Sequence, residues 1–415
     1  MTKTDILILG AGIGGYETFR TLAKLLKRHR LKKIITIIDR NNYFTFTPML
    51  HEAAAGAVEP QHCAIPLREL TEKTPHRFIK AEIKGIDPSK KQVQTSAGTI
   101  GYDTCVVALG SAINFFNIPG AEQYAHNVRT LRSALRLHDA FIALLETSPA
   151  ANLNLIIVGG GFTGVEVAGQ LADFIKKDIA LLYPDITVKI HLIESGSILA
   201  KSMPHKVHKK IAARLKAMSV TVHLRSRVQA VKKEAIQLEN GKEIKSDLTI
   251  WTSGFKNFAQ CYLPQQYCEA GRIPVTSYLC HEKDNSLFAI GDIMLRREPG
   301  SEIPYPQLAE AAHKEGMYIA KAIVRRAKSQ KIKPFVFRPT GTLMPIGNWY
   351  GVLTIGKFCL FGPLAWWIRR TVYLLFIPGI LRKLKIVTDW TLHCFGFHHT
   401  LLVESTGLEV IDITS

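Results

Sequence analysis

The feature that most constrains this chain is one local plan that occurs twice, about 150 residues apart. In residues 4–39, TDILILG ends on Gly10 and reads as a strand buried on both faces, because its apolar run does not alternate. The turn Gly10-Ala11-Gly12-Ile13-Gly14-Gly15 follows. Leu22, Leu25 and Leu26 then have helical spacing, and KIITIID returns as a second strand ending at Asp39. Residues 153–194 repeat the plan. LNLIIVG leads into GGGFTG (Gly159 to Gly164); Val165, Ala168, Leu171 and Ile175 have helical spacing; VKIHLIE ends on Glu194. Two βαβ units so far apart imply an α/β protein with two Rossmann-like domains.

Each turn carries a chemical expectation. GAGIGG matches G-x-G-x-x-G between a strand and a helix. Its glycines let the backbone approach a pyrophosphate, and the helix N-terminus offers N–H donors and positive dipole. Asp39, at the end of the return strand, can bind ribose hydroxyls. Glu194 holds the same place in the second unit, where a carboxylate favours NAD and repels the 2′-phosphate of NADP. One such turn alone is also what a tight strand–helix connection needs. Two complete fingerprints point to two dinucleotides, a flavin and a nicotinamide. A third signal, Ala289-Ile290-Gly291-Asp292 after an apolar run, can set a carboxylate on the ribityl chain of FAD.

Between the two units the chain reads as short strands (VQTSAG, YDTCVVALG) and a helix near 130–146. Hairpins follow over 218–252, with Asn240-Gly241 a tight turn. A helix over 307–327 places Ala309, Ala312, Gly316, Ile319, Ile323 and Ala327 on one stripe. The expected domains are 1–115 with 275–335, 116–274, and a C-terminal segment 336–415.

Charge singles out that last segment. The net charge of the 415 residues is +19, yet no acidic residue stands between Glu315 and Asp389, a stretch with thirteen Lys or Arg. Such a stretch seeks a polyanion. Nucleic acid lacks a recognisable module here, which leaves an anionic membrane surface. Taken as a helix, 364–376 puts Leu364, Trp367, Ile368, Val372 and Leu375 on one face, and Trp366, Arg369, Arg370 and Tyr373 on another. That pattern suits a helix lying in the headgroup plane, or else a dimer or core helix. The longest apolar tract, Phe358 to Leu381, is split by Arg369 and Arg370, so a spanning helix is not expected. The N-terminus enters a strand at Asp5, leaving no room for a signal peptide. Seven cysteines, with no C-x-x-C or Cys/His spacing, predict neither a disulfide scaffold nor a metal site, and most are expected as buried apolar fillers.

With these motifs in place, the chain resembles the two-dinucleotide-fold flavoproteins, and within them the type II NADH dehydrogenases. NYFTFTPML (Asn41–Leu50), IPLRE (Ile65–Glu69), VALGS (Val107–Ser111), IVGGGFTGVEVAG (Ile157–Gly169), IWTSGF (Ile250–Phe255) and FAIGD (Phe288–Asp292) carry the resemblance. It implies non-covalent FAD on the first fold, NADH on the second, and a C-terminal segment at a membrane surface where a quinone is reduced. FAD would be held by Gly10, Gly12, Gly15, Asp39, Ile83, Gly110, Asp292 and Ala309. NADH would be held by Gly159, Gly161, Thr163, Gly164, Glu166 and Glu194, with Gly254 near the nicotinamide. Hydride would pass from nicotinamide to flavin. The implied location is peripheral, on the cytoplasmic face of a bacterial inner membrane, with a homodimer as a further partner.

The chain departs from that family at two places. Gly169-Gln170-Leu171 stands where Gly-Glu-Leu is usual, so Gln170 cannot carry a proton. Glu310 and Lys314 replace two usual glutamines before Gly316. Glu166, Gln170, Glu310 and Lys314 are therefore the residues on which the proton route turns. Glu310 is expected either to take over the relay or to form an i,i+4 ion pair with Lys314. Rival readings are a sulfide:quinone oxidoreductase using Cys261 and Cys268, another flavin reductase, or a flavin-binding redox sensor without turnover.

Overall fold

The computed structural model describes residues 2–148, 151–297, 304–377 and 379–394. The first half of the chain supplies β1 (Thr2–Leu9), α1 (Ile13–Arg28), β2 (Ile35–Asp39), α2 (Leu50–Ala54), β3 (Arg77–Lys80), β4 (Gly98–Val107), α3 (Leu131–Thr147), β5 (Asn152–Val158), α4 (Phe162–Phe174) and β6 (Thr187–Ile193). The second half supplies α5 (His205–Ala217), β7 (Val220–His223), β8 (Leu248–Trp251), β9 (Asp284–Ala289), α6 (Ala309–Ala327), β10 (Thr342–Pro345), β11 (Gly351–Ile355), β12 (Phe358–Gly362), α7 (Pro363–Phe376) and α8 (Ile380–Cys394).

The chain divides into two compact units. One holds Met1–Phe46, Ala64–Asn114 and Phe255–Thr340; the other holds Thr47–Cys63, Phe115–Gly254 and Gly341–Ser415. Residues 255–274 therefore go with the first unit, 47–63 go with the second, and the expected C-terminal segment is divided, 336–340 going with the first unit and 341 onward with the second, instead of forming a third body. Residues 395–415 of the expected membrane segment lie outside the described residues.

The first unit is built on an eight-stranded sheet. Its path runs Cys280–His281, β9, β4, β1, β2, β3, and the hairpin Ile83–Asp87/Gln92–Thr95 attaches to β4. β1 lies at the centre, parallel to both neighbours, with Ile8 opposite Ile37 and Val106. Helices α1 and α6 pack closely, since a Cβ on Gly316 would stand 2.5 Å from the Gly14 carbonyl. Of the expected α6 stripe, Ala312, Gly316, Ile319 and Ile323 are buried, whereas Ala309 and Ala327 at the ends are exposed.

The second unit has a five-stranded parallel sheet, Ala125–His126, β8, β5, β6, β7. The predicted helix near 130–146 is α3, whose first turn is closed by a capping box between Thr130 and Ser133. The Asn240-Gly241 turn is present, with Gly241 at φ +81°. β10, β11 and β12 form an antiparallel meander on which α7 packs.

Helix α7 corrects the reading of its faces. The two faces are composed as expected, but the basic one is inside. Trp366, Arg369 and Arg370 are buried, while Leu364, Trp367 and Leu375 are 60%, 46% and 70% exposed. On α8, Ile380, Leu381, Leu384 and Val387 are likewise exposed. The reason is a counter-charge elsewhere in the second unit, described below. Cysteines also differ from expectation. Of the six free cysteines described, Cys63, Cys105 and Cys280 are buried, Cys268 and Cys359 are half-buried, and Cys261 is exposed.

Candidate active site

In the first unit, the β1–α1 turn makes a cradle. Gly10 has φ +91°, and a Cβ on Gly15 would stand 1.9 Å from the Gly10 carbonyl, so glycine is required at both for the turn to close. Gly12 has nothing within 4 Å of where its Cβ would be, which leaves open space over the start of α1. No side chain caps that helix. Its first N–H groups are thus available to an anion such as a pyrophosphate. Asp39 Oδ2 accepts from the Ala11 N–H at 2.7 Å, and Oδ1 accepts from Asn41 at 2.8 Å. The carboxylate is fixed beside the turn with lone pairs left over for ribose hydroxyls. The Ala81 N–H bonds the Asp39 carbonyl, which brings the hairpin that opens at Ile83 to the same end of the sheet.

The Gly-Asp signal after β9 is tied to the same unit. Ser111 Oγ donates to Asp292 Oδ2 at 2.6 Å, joining the residue after Gly110 to Asp292, and Gln307 Nε2 donates to the Asp292 carbonyl. The Gly291 N–H donates to Glu315 Oε2 at 2.7 Å, and burial pushes the Glu315 carboxyl up to about 7.

Ala309 opens α6. Beside it, Glu310 and Lys314 form the i,i+4 ion pair at 2.6 Å. The Thr340 N–H also donates to Glu310, and Lys314 reaches the Arg338 carbonyl and Thr340 Oγ1. Burial alone would raise the Glu310 carboxyl, but the bonds from Lys314 and Thr340 outweigh it and hold the carboxyl below its ordinary value. A group so held is a poor proton donor at neutral pH. Its geometry fits a clasp between α6 and the segment at 338–340.

The second unit repeats the cradle. Gly159 has φ +113°, a Cβ on Gly164 would stand 1.8 Å from the Gly159 carbonyl, and Gly161 faces open space. Thr163 lies in the first turn of α4. Glu194 Oε2 accepts from the Gly160 N–H and Oε1 from the Gly196 N–H, each at 2.6 Å. Thr252 Oγ1 donates to the Val158 and Gly159 carbonyls at the C-terminal end of β8, two residues before Gly254.

Further along α4 stand Glu166 and the buried Gln170, and here the unit holds a cluster that the sequence did not disclose. Arg369 of α7 donates to Glu52 Oε1 of α2 at 2.6 Å and to the Pro48 carbonyl at 3.1 Å, and Arg369 Nη2 lies 3.4 Å from His51 Nε2. His51 Nδ1 lies 3.8 Å from Glu166 Oε2. Arg370 stacks on Trp366 and Trp390, 3.9 and 4.5 Å from the ring centroids, with Glu52 Oε2 at 3.9 Å. The Arg369 guanidinium also covers the Tyr373 ring. Burial raises the Glu52 carboxyl, but Arg369 and Arg370 overcome this and bring it to about 2. Burial and then Arg369 bring His51 down to about 3. Burial pushes Glu166 up to about 8. At neutral pH, Glu52 is therefore ionised, His51 neutral and Glu166 protonated. The available signals were His51-Glu52 inside an apolar, alanine-rich run and two arginines in an apolar helix. Pairing them across 317 residues is not a local pattern.

Comparison with known proteins gives these cradles a context. The family model described as pyridine nucleotide-disulphide oxidoreductase matches residues 4–316. A demethylphylloquinone reductase from Synechocystis is 28% identical over 408 residues, covering 95% of this chain and 97% of that protein. A type II NADH:quinone oxidoreductase from Staphylococcus aureus is 27% identical over 366 residues, 86% of this chain and 90% of the relative. Among solved structures, NDH2 from Plasmodium falciparum in complex with NADH superposes with a TM-score of 0.87 at 22% identity, covering 96% and 99% of the two chains. A sulfide:quinone oxidoreductase from Aquifex aeolicus has a TM-score of 0.74 at 19% identity, covering 91% of each.

Proposed function

The chain belongs to the pyridine nucleotide-disulphide oxidoreductase family, and from that premise we propose that it is an FAD-dependent NADH:quinone oxidoreductase of the type II, non-pumping kind. The carrying observation is the duplicated open cradle, each copy followed by a carboxylate fixed beside it. The full-length relatives named for quinone reduction support the acceptor.

Gly10, Gly12, Gly15, Asp39, Ile83, Gly110, Asp292 and Ala309 hold FAD in this reading, and Gly159, Gly161, Thr163, Gly164, Glu194 and Gly254 hold NADH. FAD, when bound, accepts the hydride of NADH and delivers two electrons to a quinone. The protein's own part is to fix each pyrophosphate on a helix N-terminus and each ribose on a strand-end carboxylate, so that the reacting rings are oriented. Glu194 also selects NADH, because a 2′-phosphate would meet its charge with no cation in Ser195 or Gly196 to offset it.

Among the described residues no helix is long and apolar enough to cross a membrane. The exposed face of Leu364, Trp367, Leu375, Phe376, Ile380, Leu381 and Leu384 is the part that meets a lipid surface. The attachment is thus peripheral and chiefly hydrophobic, with the basic residues of α8 adding attraction to anionic lipid. With NADH as a cytoplasmic reductant, the face in question is the cytoplasmic one of a bacterial inner membrane. A second copy of the chain is the other occupant this apolar face admits. The sulfide reading has little support in the cysteines, since Cys261 is exposed, Cys268 half-buried and both are free.

Steady-state turnover of the FAD-loaded protein with NADH, NADPH and sulfide against menaquinone and ubiquinone analogues tests the assignment. NADH with a quinone is the active pair expected; turnover with sulfide alone would replace it.

A further inference from the structure

The second unit carries a basic tract that the candidate site does not use. From Ser195 to Lys233 no acidic residue occurs, and the stretch holds ten Lys or Arg. Two of them, Arg227 and Lys232, find Glu239 and Glu243. Those of helix α5 do not. Among the described residues no carboxylate lies within ion-pair distance of Lys206, Lys209, Lys210 or Lys216. Val207, Ile211 and Leu215 are buried, and these lysines, all exposed, share the opposite side of the helix by their spacing. Local electrostatics opposes the arrangement. His205 and Lys206 stand in a first turn with no acidic residue, where the helix dipole disfavours a cation. Lysines at i,i+3 and i,i+4 also repel one another. The counter-charge for this face therefore lies outside the chain.

The place of α5 in the unit says which anion it meets. Both ends of the helix are tied to the meander β10–β12. At its start, Lys206 Nζ donates to the Lys357 carbonyl at 2.6 Å. Lys357 is in the β11–β12 turn between Ile355 and Phe358, which are 50% and 58% exposed. Toward its end, the Arg214 guanidinium lies 4.9 Å from the Tyr350 ring centroid, and its Nη2 donates to the Asn348 carbonyl at 3.5 Å. Trp349, between those two residues, stacks on Trp366 at 4.8 Å and meets Trp367, on the outer face of α7, edge-on at 5.7 Å. The lysine face thus borders exposed apolar surface at both ends of the helix. Cations beside exposed tryptophan and aliphatic side chains match a headgroup layer over an acyl layer. A nucleic acid or an acidic protein would match the charge and leave the apolar border unexplained.

We propose that α5 is a docking surface for anionic lipid headgroups, with Lys209, Lys210 and Lys216 on the lipid phosphates while the outer face of α7 and α8 enters the acyl layer. The proposal rests on the peripheral-attachment reading given above and deepens it. Helix α7 spends its arginines internally, on Glu52, so the preference for anionic lipid comes mainly from a helix 150 residues earlier in the same unit.

Flotation of the full-length FAD-loaded protein with vesicles tests this. Vesicles of phosphatidylcholine alone are compared with vesicles holding about 30% phosphatidylglycerol. The wild type should bind both, the anionic ones more tightly, and the difference should shrink as salt rises from about 0.05 to about 0.5 M. Lys209→Gln, Lys210→Gln and Lys216→Gln together leave Lys206 on its carbonyl. They should weaken binding to the anionic vesicles about 100-fold, with binding to neutral vesicles, the thermal midpoint and turnover on a water-soluble quinone analogue unchanged. Arginine at the same three positions should keep the anionic affinity. An anionic preference that the glutamine variant retains overturns the proposal. So does a short RNA strand that the wild type binds more tightly than anionic vesicles at about 0.15 M salt and the glutamine variant does not, since the face would then belong to nucleic acid. A wild type that floats with neither kind of vesicle overturns the attachment reading, and this proposal with it.

Discussion

At the scale of single residues, Glu194 and Glu310 show how the same side chain is used in opposite ways. Glu194 is held by two backbone N–H groups of its own cradle, and in the proposed NADH site it binds a ribose. Glu194→Ser, by removing the charge, should narrow the NADH-over-NADPH preference in kcat/KM by about tenfold or more, roughly 1.4 kcal/mol. Equal kcat/KM for the two nucleotides in the wild type would contradict the role. Glu310 is clasped by Lys314 and Thr340. Glu310→Gln should leave quinone-driven flavin reoxidation at the wild-type rate from pH 6 to 9 and cost no more than about 1 kcal/mol of stability, as partly exposed pairs do. A slowed reoxidation would restore the relay role to Glu310. Both residues stand out in the sequence by position. The sequence could not tell them apart in kind, because the second partner of Glu310 is a backbone N–H thirty residues away.

At the scale of elements, the duplicated strand–turn–helix was legible because local geometry dictates it. A glycine with positive φ and a second glycine under its carbonyl are requirements of the turn itself. Helix α7 was legible in length, and its composition into two faces was right. Which face is buried was not legible, since it depends on Glu52 in α2. In isolation, Arg369 and Arg370 belong in water or on headgroups. Given a buried carboxylate at 2.6 Å and two indole faces, they belong inside, and the apolar face is left outside. Breaking a buried pair leaves an uncompensated charge, at a cost of about 3–5 kcal/mol. Glu52→Gln should therefore destabilise the protein by about that amount. Truncation after Gly356 should not yield an intact soluble flavoprotein, because it strips α7 from Glu52; a truncated chain with the thermal midpoint of the whole would contradict this. The proposed membrane attachment is better tested by Leu375→Glu with Leu384→Glu, which on that proposal should release the protein from vesicles and leave its folding unchanged.

At the scale of the whole molecule, the buried titrating groups set a window of pH. Glu52 has a depressed pKa, about 2 against an ordinary 4.5, so its stabilisation is present above 4.5 and lost as pH falls through 2. His51 is kept neutral, about 3 against 6.5, so the unfolded chain binds the extra proton and stability declines as pH falls below 6.5. Glu166 and Glu315 are raised, to about 8 and 7, so the folded chain retains protons that the unfolded one has lost, and stability declines as pH climbs above 4.5 toward those values. Above 4.5 the two raised carboxyls outweigh the one histidine, so the thermal midpoint set by these groups should be highest near pH 4.5, and Glu166→Gln should flatten the alkaline limb. The central claim, however, is the passage of electrons from NADH through bound flavin to a quinone, and anaerobic stopped-flow absorbance of the FAD-loaded protein tests it most directly. One equivalent of NADH should bleach the flavin band, and a menaquinone or ubiquinone analogue mixed in next should return it with formation of one equivalent of quinol. A flavin that NADH does not bleach, or that stays reduced in the presence of every quinone, would contradict the account.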